Sequence, residues 1–448
     1  MLPLFRRKIV VPLWTIKSKS PKFPYLKDLA KTEYSSMEVL KNEQWFKFSE
    51  ILQYCHVNNE FYQNFYKNVS IHDIKSLSDI KKLPILTKSL IKANYNKIIS
   101  TPFQKLKLFE SKTGGSTGTS LRLFKTEECT ELKNAIALRS NSWTGWQYGE
   151  PVAAVWGNPV YPVTFKEKLK NFLFTPFFYL DTMNINDEAV IAFSEEWKRI
   201  KPSQLYGHAH SIFVLAEILD RLKIQLSPPK GIITTSMMLL QNERTFIEKI
   251  IKAKVFDRYG CEEVSLIASE CEKHEGYHLN IEHLIVEFIK EDGTDAAPGE
   301  PGDIIVTDLL NKAMPMIRYK VEDVGVPSAR KCSCGRSFPL MEKVIGRTAD
   351  FIQREDGSQV AGISLIERTL TKIQGIYQLQ IIQDSLQDIS LNIVREIDSF
   401  SDDTEKLLID EIKKSIGNSV NINCKYVERI KQEESGKYRF CISKIKNQ

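Results

Sequence analysis

Between residues 105 and 345 short apolar runs alternate with amphipathic stretches, and no other feature restricts the fold of this chain so much. Val152–Trp156, Gly231–Thr235 and Val255–Tyr259 have the length and residue types of strands. Ser211–Leu222 and Asn242–Ala253 carry apolar residues at helical spacing. Alternation of this kind predicts an α/β domain with parallel sheet, because a parallel crossover needs a helix-sized connection. Residues 283–349 read differently: His283–Ile289 and Gly302–Thr307 are two strands joined by the turn-rich Glu291–Pro301, a β-rich subdomain. Residues 1–100 read as mostly helical, with Met37, Leu40, Trp45, Phe48, Ile51 and Leu52 on one helix. Residues 351–448 change character again. Ile376–Gln383, Ile389–Val394, Val420–Val427 and Tyr438–Ile445 are strand-like, and Thr404–Ile416 is a helix with Gly417 at its cap. The expectation is a large N-terminal domain, 1–350, with mixed and parallel sheet (helical 1–100, α/β 101–282, β-rich 283–349). A small α+β domain, 351–448, follows it.

Composition removes several classes. The net charge is +6, from 62 basic against 56 acidic residues, and the lysines read as scattered, which argues against a nucleic-acid partner. No run approaches the roughly 20 apolar residues of a membrane-spanning helix. Met1–Ser20 holds two apolar runs split by Arg6, Arg7 and Lys8, without the form of an export signal. The aromatic run Phe172–Leu180, broken by Thr175 and Pro176, is too short to span a membrane and reads as core, with a membrane-surface contact as the alternative. Eight cysteines in 448 residues make no disulfide framework, so a cytoplasmic chain is expected, in which clustered cysteines suggest metal.

Four motifs carry chemistry. Ser111–Ser120 contains Thr113, Gly114, Gly115, Ser116, Thr117, Gly118 and Thr119 after the strand-like Leu106–Phe109. Glycines let backbone N–H groups approach a phosphate, and the hydroxyls add donors. Asp257-Arg258-Tyr259-Gly260-Cys261-Glu262-Glu263 ends an apolar run, where α/β folds place ligands and where a carboxylate can hold Mg²⁺ against phosphate. Arg318-Tyr319-Lys320-Val321-Glu322-Asp323, followed by Gly346-Arg347-Thr348-Ala349-Asp350, offers a carboxylate for ribose hydroxyls and an arginine to assist. Glu434-Ser435-Gly436-Lys437 puts a lysine on a tight turn. Taken singly, each piece also suits a solvated loop or turn.

In this order and spacing the motifs resemble the adenylate-forming superfamily, and within it the phenylacetate-CoA ligase group and its CapK-like capsule-biosynthesis branch. Lys82-Leu83-Pro84-Ile85-Leu86-Thr87-Lys88 and Met314-Pro315-Met316-Ile317-Arg318-Tyr319 add to the likeness. The resemblance implies an AMP-forming ligase in which ATP activates a carboxylic acid as acyl-AMP, with coenzyme A as acceptor. The capsule branch also implies an amide-forming variant acting on an amine in surface-polysaccharide assembly. A non-catalytic nucleotide-binding scaffold is a third reading. The implied roles place Thr113–Thr119, including Thr117, on the phosphates, with Thr235, Ser236, Asp257, Tyr259 and Gly260 also around the nucleotide. Glu263 would hold Mg²⁺, and Asp323 and Arg347 the ribose. Asp350 would be the hinge and Lys437 the catalytic lysine. His208 and Ser211 would lie near the acyl pocket. Glu262 stands where the family often has Ser or Thr, so either glutamate could hold the metal. The carboxylate and the oligomeric state stay open.

Cys271, His274, His278, Cys332 and Cys334 form a further constellation. Three cysteines and one histidine make a closed tetrahedral Zn²⁺ set, structural because no position is left open. The family likeness favours Cys271, His278, Cys332 and Cys334 over a set with His274.

Overall fold

A computed structural model describes residues 2–112, 121–156, 161–347, 351–356, 359–361, 365–366, 369, 373–396, 399–431 and 439–445. The 113–120 loop, residues 348–350 and Lys437 lie outside them. The segment read as α/β forms strands β1 (Phe109–Lys112), β2 (Arg122–Lys125), β3 (Val152–Trp156), β4 (Phe177–Asp181), β5 (Gln204–His208), β6 (Gly231–Thr235), β7 (Val255–Cys261), β8 (Ser265–Glu270) and β9 (Tyr277–Leu279). The β-rich segment adds β10 (Leu284–Ile289), β11 (Gly302–Asp308), β12 (Tyr319–Ser328) and β13 (Leu340–Arg347). β3 to β13 make one sheet, in the order β10-β11-β12-β13-β9-β8-β7-β6-β5-β3-β4. Strands β4, β3, β5, β6 and β7 run parallel, and every pairing from β7 to β10 is antiparallel. The β-rich segment is thus the antiparallel half of a mixed sheet.

Two hydrophobic cores follow from this division. Helices Asp187–Ile200, Ala209–Arg221 and Gln241–Ile251 bury Trp197, Leu215 and Ile247 with Val155, Leu205 and Ile232 of the parallel strands. The N-terminal helix Met37–Asn58 starts at Ser36, whose side chain accepts a bond from the Val39 N–H. Its Leu40, Phe48, Ile51 and Leu52 share the core of the antiparallel half with Ile304, Val306 and Ile317. Phe178 and Leu180 are core, as expected of that aromatic run, but Phe172 ahead of them is exposed.

Arg318 explains why two of the quoted segments go together. It has φ +50°, and its guanidinium pairs with Glu287 at 2.9 Å and donates to the Leu83 and Lys81 carbonyls at 2.5 and 3.1 Å. The Leu86 N–H donates to the Arg318 carbonyl, and the Lys320 N–H to that of Leu86, both at 2.9 Å. Lys82–Lys88 and Met314–Tyr319 are therefore one buried joint, and Arg318 serves it instead of a ligand.

Beyond residue 375 a four-stranded sheet, β18-β17-β16-β19, is built by β16 (Ile376–Gln383), β17 (Asp388–Arg395), β18 (Asn421–Tyr426) and β19 (Cys441–Ser443), after a small ribbon of β14 (Phe351–Gln353) and β15 (Gln359–Ala361). Helix Asp402–Ile416 packs Leu408, Ile412 and Ile416 with Leu379, Ile381 and Leu391, and Leu240 of the large domain joins that core.

Glu217, on helix Ala209–Arg221, has its carboxyl pushed from the ordinary 4.5 up to about 9 by burial and by the charge of Glu243. A carboxyl with a raised folded pKa contributes stability at low pH that is lost as pH climbs toward that value. Glu217→Gln is expected to raise the melting temperature by about 2–4 °C at pH 8 and to leave it nearly unchanged at pH 4.5. Thermal melts across that range measure it, and a pH-independent difference would contradict the assignment.

Candidate functional site

The C-terminal ends of the parallel strands place Trp156, His208, Thr235 and Tyr259 along one edge, where open α/β sheets bind ligands. His208 and Thr235 are register partners on β5 and β6. The buried His208 ring sits 4.4 Å from that of Trp156. Ser211 lies in the first turn of the next helix, buried, its hydroxyl without a hydrogen-bond partner among the described residues. Ser236 follows β6 at φ +66°, exposed at the mouth.

β7 turns sharply at this edge. A bulge falls between Tyr259 and Gly260, and a Cβ on Gly260 would meet the Ser265 carbonyl oxygen at 2.4 Å. Only glycine fits, and the tight turn carries Glu262 and Glu263 back toward β8. Their side chains part there. Glu263 is buried and accepts the Tyr319 hydroxyl at 2.9 Å. Glu262 is half exposed, and Lys125 donates to its backbone carbonyl at 2.8 Å. Lys125 closes β2, so the β1–β2 hairpin that brackets residues 113–120 is tied to the turn bearing Glu263.

The Tyr259 hydroxyl donates to the Asp323 carboxylate at 2.7 Å. Asp323 on β12 lies in register opposite the backbone of Arg347 on β13. Two hydroxyl–carboxylate bonds, Tyr259–Asp323 and Tyr319–Glu263, thus join the second motif to the third. Tyr319 is almost fully buried, and burial with Glu263 beside it raises its hydroxyl pKa, which keeps it a donor.

Asp257 is placed otherwise than a ligand-facing acid. Its carboxylate accepts the Thr234 hydroxyl at 2.6 Å and the Tyr277 hydroxyl at 2.7 Å, and its N–H donates to Glu270 at 2.7 Å. Burial and Glu270 push its carboxyl up to about 6. Glu270 in turn pairs with Arg244 at 2.8 Å.

The cysteine–histidine set is brought together as expected. Single donor atoms of Cys271, His278, Cys332 and Cys334 all lie within 4.8 Å of one another. Cys271 Sγ is 3.5 Å from Cys332 Sγ, and Cys334 Sγ is 3.4 Å from His278 Nε2. Ligands about 2.3 Å (S) and 2.0 Å (N) from a tetrahedral ion stand roughly 3.5–3.8 Å apart, so the residues fit zinc. Backbone N–H groups of Lys273 and Arg336 each donate to a sulfur at 3.4 Å, which favours thiolate. Burial and Arg336 pull His278 down to about 4, leaving a neutral imidazole. His274 is not in the set; it lies against Phe256 and 3.6 Å from Glu270.

Sequence reasoning missed His210. Its Nδ1 meets Glu243, and its Nε2 lies 3.2 Å from the Gln378 amide nitrogen on β16. Ile430 N–H donates to Gln378 Oε1 at 3.3 Å, which turns the amide N–H₂ toward His210. His210 Nε2 therefore accepts, and Nδ1–H donates to Glu243. Phe440 packs edge-on at 5.0 Å. This is a contact of the large domain with the small one. Arg347's side chain, Asp350, Lys437 and the Thr113–Thr119 loop lie outside what is described.

Residues 352–444 match the family model described as CapK C-terminal domain. The chain is 25% identical over 410 residues to protein CapK of Staphylococcus aureus, across 89% of this chain and 88% of that one. It is 22% identical over 347 residues to phenylacetate-coenzyme A ligase of Escherichia coli strain K12, across 71% and 74%. In fold it is similar to 2-hydroxyisobutyryl-CoA ligase. The postadenylation state of that protein gives a TM-score of 0.75 at 17% identity, covering 92% of this chain and 91% of that one. Its thioesterification state gives 0.59 at 16% identity over the same shares.

Arg244→Met would leave Glu270 buried beside Asp257 without its cation. We expect a loss of about 3–5 kcal/mol in urea unfolding. A loss below about 1 kcal/mol would mean that the network does not hold the two halves of the sheet together.

Proposed function

We propose that this chain, which belongs to the adenylate-forming superfamily in its CapK-like branch, activates a carboxylic acid as acyl-AMP with release of pyrophosphate and passes the acyl group to coenzyme A. The observation that carries the reading is the pair of bonds joining Tyr259 to Asp323 and Tyr319 to Glu263. They set a ribose-type carboxylate on β12 and a metal-type carboxylate on the tight β7–β8 turn, beside the hairpin that brackets residues 113–120.

In this reading Mg-ATP lies along the strand ends. Asp323 accepts the ribose hydroxyls with Tyr259 keeping its carboxylate in place, and the adenine rests against the Tyr259 ring. The backbone of Thr113–Thr119 holds the phosphates. Glu263 is the magnesium ligand, favoured over Glu262 because it faces inward and Tyr319 fixes it. Bound magnesium would offset phosphate charge. The carboxylate attacks the α-phosphate in line, and Lys437 stabilises the charge that develops, so that catalysis is positioning plus electrostatics. His208 and Ser211 border the acyl end. Cys271, His278, Cys332 and Cys334 would hold zinc, which with four protein ligands supplies no open position and acts by pinning the β8–β9 turn to the β12–β13 connection.

Carboxylate-dependent ATP–pyrophosphate exchange, run across aryl, fatty, hydroxy and amino acids, tests the activity. Exchange with at least one acid is expected, and coenzyme A should then consume the acyl-AMP. Consumption by amines alone would assign an amide-forming ligase instead, and Mg-ATP binding with no exchange would leave a scaffold. Lys437→Ala should lower exchange by about 10²-fold or more with ATP binding retained; undiminished exchange would remove that lysine from the mechanism.

Metal analysis of the purified chain should find about one zinc per chain, and Cys332→Ser should lose it together with several degrees of melting temperature. A metal-free protein whose melting is unchanged by Cys332→Ser would refute the zinc assignment.

A further inference from the structure

Among the described residues 22 large apolar side chains are exposed, and 12 of them lie in residues 2–16 and 161–172. The chain is helical from Leu2 to Ser18, through an α turn, a π turn at Arg6–Val10 and a second α segment, and of its described residues only Arg6 and Val11 are buried. Helix Phe165–Leu173 has no buried residue at all. Ile16, Val163 and Phe165 are 76%, 77% and 82% exposed. Phe165, Leu169 and Phe172 form one stripe at helical spacing, with Lys166, Lys168 and Lys170 at its flanks.

The two segments are a single surface. Arg6 donates to the Phe172 carbonyl at 2.8 Å and to the Gly149 carbonyl at 2.9 Å, and its guanidinium lies over the Phe172 ring. Trp14 meets Phe174 edge-on at 5.2 Å. Gly149 has φ +92°, and a Cβ there would stand 3.2 Å from the Pro3 carbonyl oxygen, so the turn is shaped to take this helix. The first helix is thus docked by its buried arginine with its apolar side chains outward.

Charge identifies the occupant. Residues 2–20 and 161–174 hold eight basic residues and one acidic, against +6 for the whole chain, so the remainder is close to neutral. The lysines that read as scattered leave their excess here. The one acid, Glu167, is exposed and engaged at the start of its own helix, where it accepts the N–H groups of Val163 and Thr164 at 3.0 and 2.9 Å. Exposed aromatic and aliphatic side chains edged by lysine, on helices lying along the surface, are the pattern of an interfacial membrane contact. No helix among the described residues is long and apolar enough to cross a bilayer.

We propose that this face seats the protein on an anionic lipid bilayer, with the apolar side chains at the headgroup–acyl boundary and the lysines on the anionic headgroups. None of the residues changed below is placed in the nucleotide site, so the test uses binding and melting, not catalysis. The full chain is to be sedimented with phosphatidylcholine vesicles with or without about 30% phosphatidylglycerol, at low and at raised salt. Binding only to the anionic vesicles, weakened by salt, is expected. The double change Phe165→Ser with Leu169→Ser, and separately the triple change Lys166→Glu, Lys168→Glu and Lys170→Glu, should each weaken it by about tenfold or more. Their melting temperatures should stay within about 2 °C of the parent, because none of these side chains is buried. Equal binding to neutral vesicles, or none to anionic ones, would overturn the proposal. So would a self-associating chain, seen by sedimentation velocity, whose dimer is lost in the Phe165–Leu169 variant while no lipid is bound; a second copy would then be the occupant.

Discussion

Asp257 and Glu270, two carboxylates buried next to each other, hold the large domain together. In the large sheet, among the described residues, β7 is the one strand that pairs parallel on one side, with β6, and antiparallel on the other, with β8. Buried acids are costly unless their oxygens are bonded and their charge is met. Here Thr234 from β6 and Tyr277 from β9 bond Asp257, while Arg244, from the helix before β7, meets Glu270. Each partner comes from a different element, so satisfying two carboxylates fixes the parallel strands, the antiparallel strands and a helix against one another.

That fixed joint gives the site its geometry. Two residues beyond Asp257 stands Tyr259, and the Gly260 bulge then aims Glu263 inward. The opposing groups come from β12, whose far connection to β13 carries Cys332 and Cys334, while Cys271 and His278 come from the β8–β9 side. A shared ion at those four residues would therefore tie the strands that present Asp323 to the strands that present Tyr259. Of the proposed substrate-side carboxylates, Asp323 rests on sheet and Glu263 on the tight turn between β7 and β8, with tyrosine hydroxyls limiting their rotation.

Much of this is legible in the sequence, and what is not has a physical reason. Strand–helix alternation reports local periodicity, so the elements fall close to where the residues put them; β16 is Ile376–Gln383 in both. The cysteine–histidine cluster is legible because Cys and His are scarce and chemically narrow, even across 61 residues. Asp257 reads as ligand-facing because it ends an apolar run; nothing local says that Thr234 and Tyr277 occupy its oxygens. Arg318 stands in a motif read for its ribose-type carboxylate and assisting arginine, and the carbonyls that its guanidinium meets lie 235 and 237 residues back. The His210–Gln378 contact spans 168 residues between ordinary residue types, and no spacing marks it.

The distribution of rigidity follows from where these partners sit. The large domain is joined by buried, charge-assisted bonds that break only at high cost. Among the described residues, the contacts by which the small domain meets it around His210 include a neutral amide bond, a phenylalanine edge and the apolar Leu240. Such contacts are each worth about 1 kcal/mol, well within what a bound substrate can supply. The fold of this chain matches the postadenylation form of 2-hydroxyisobutyryl-CoA ligase better than its thioesterification form, at 0.75 against 0.59, although both cover the same share of the chain. A site held by buried charged bonds beside a seam of weaker contacts is the mechanical division that the proposed two-step ligation calls for.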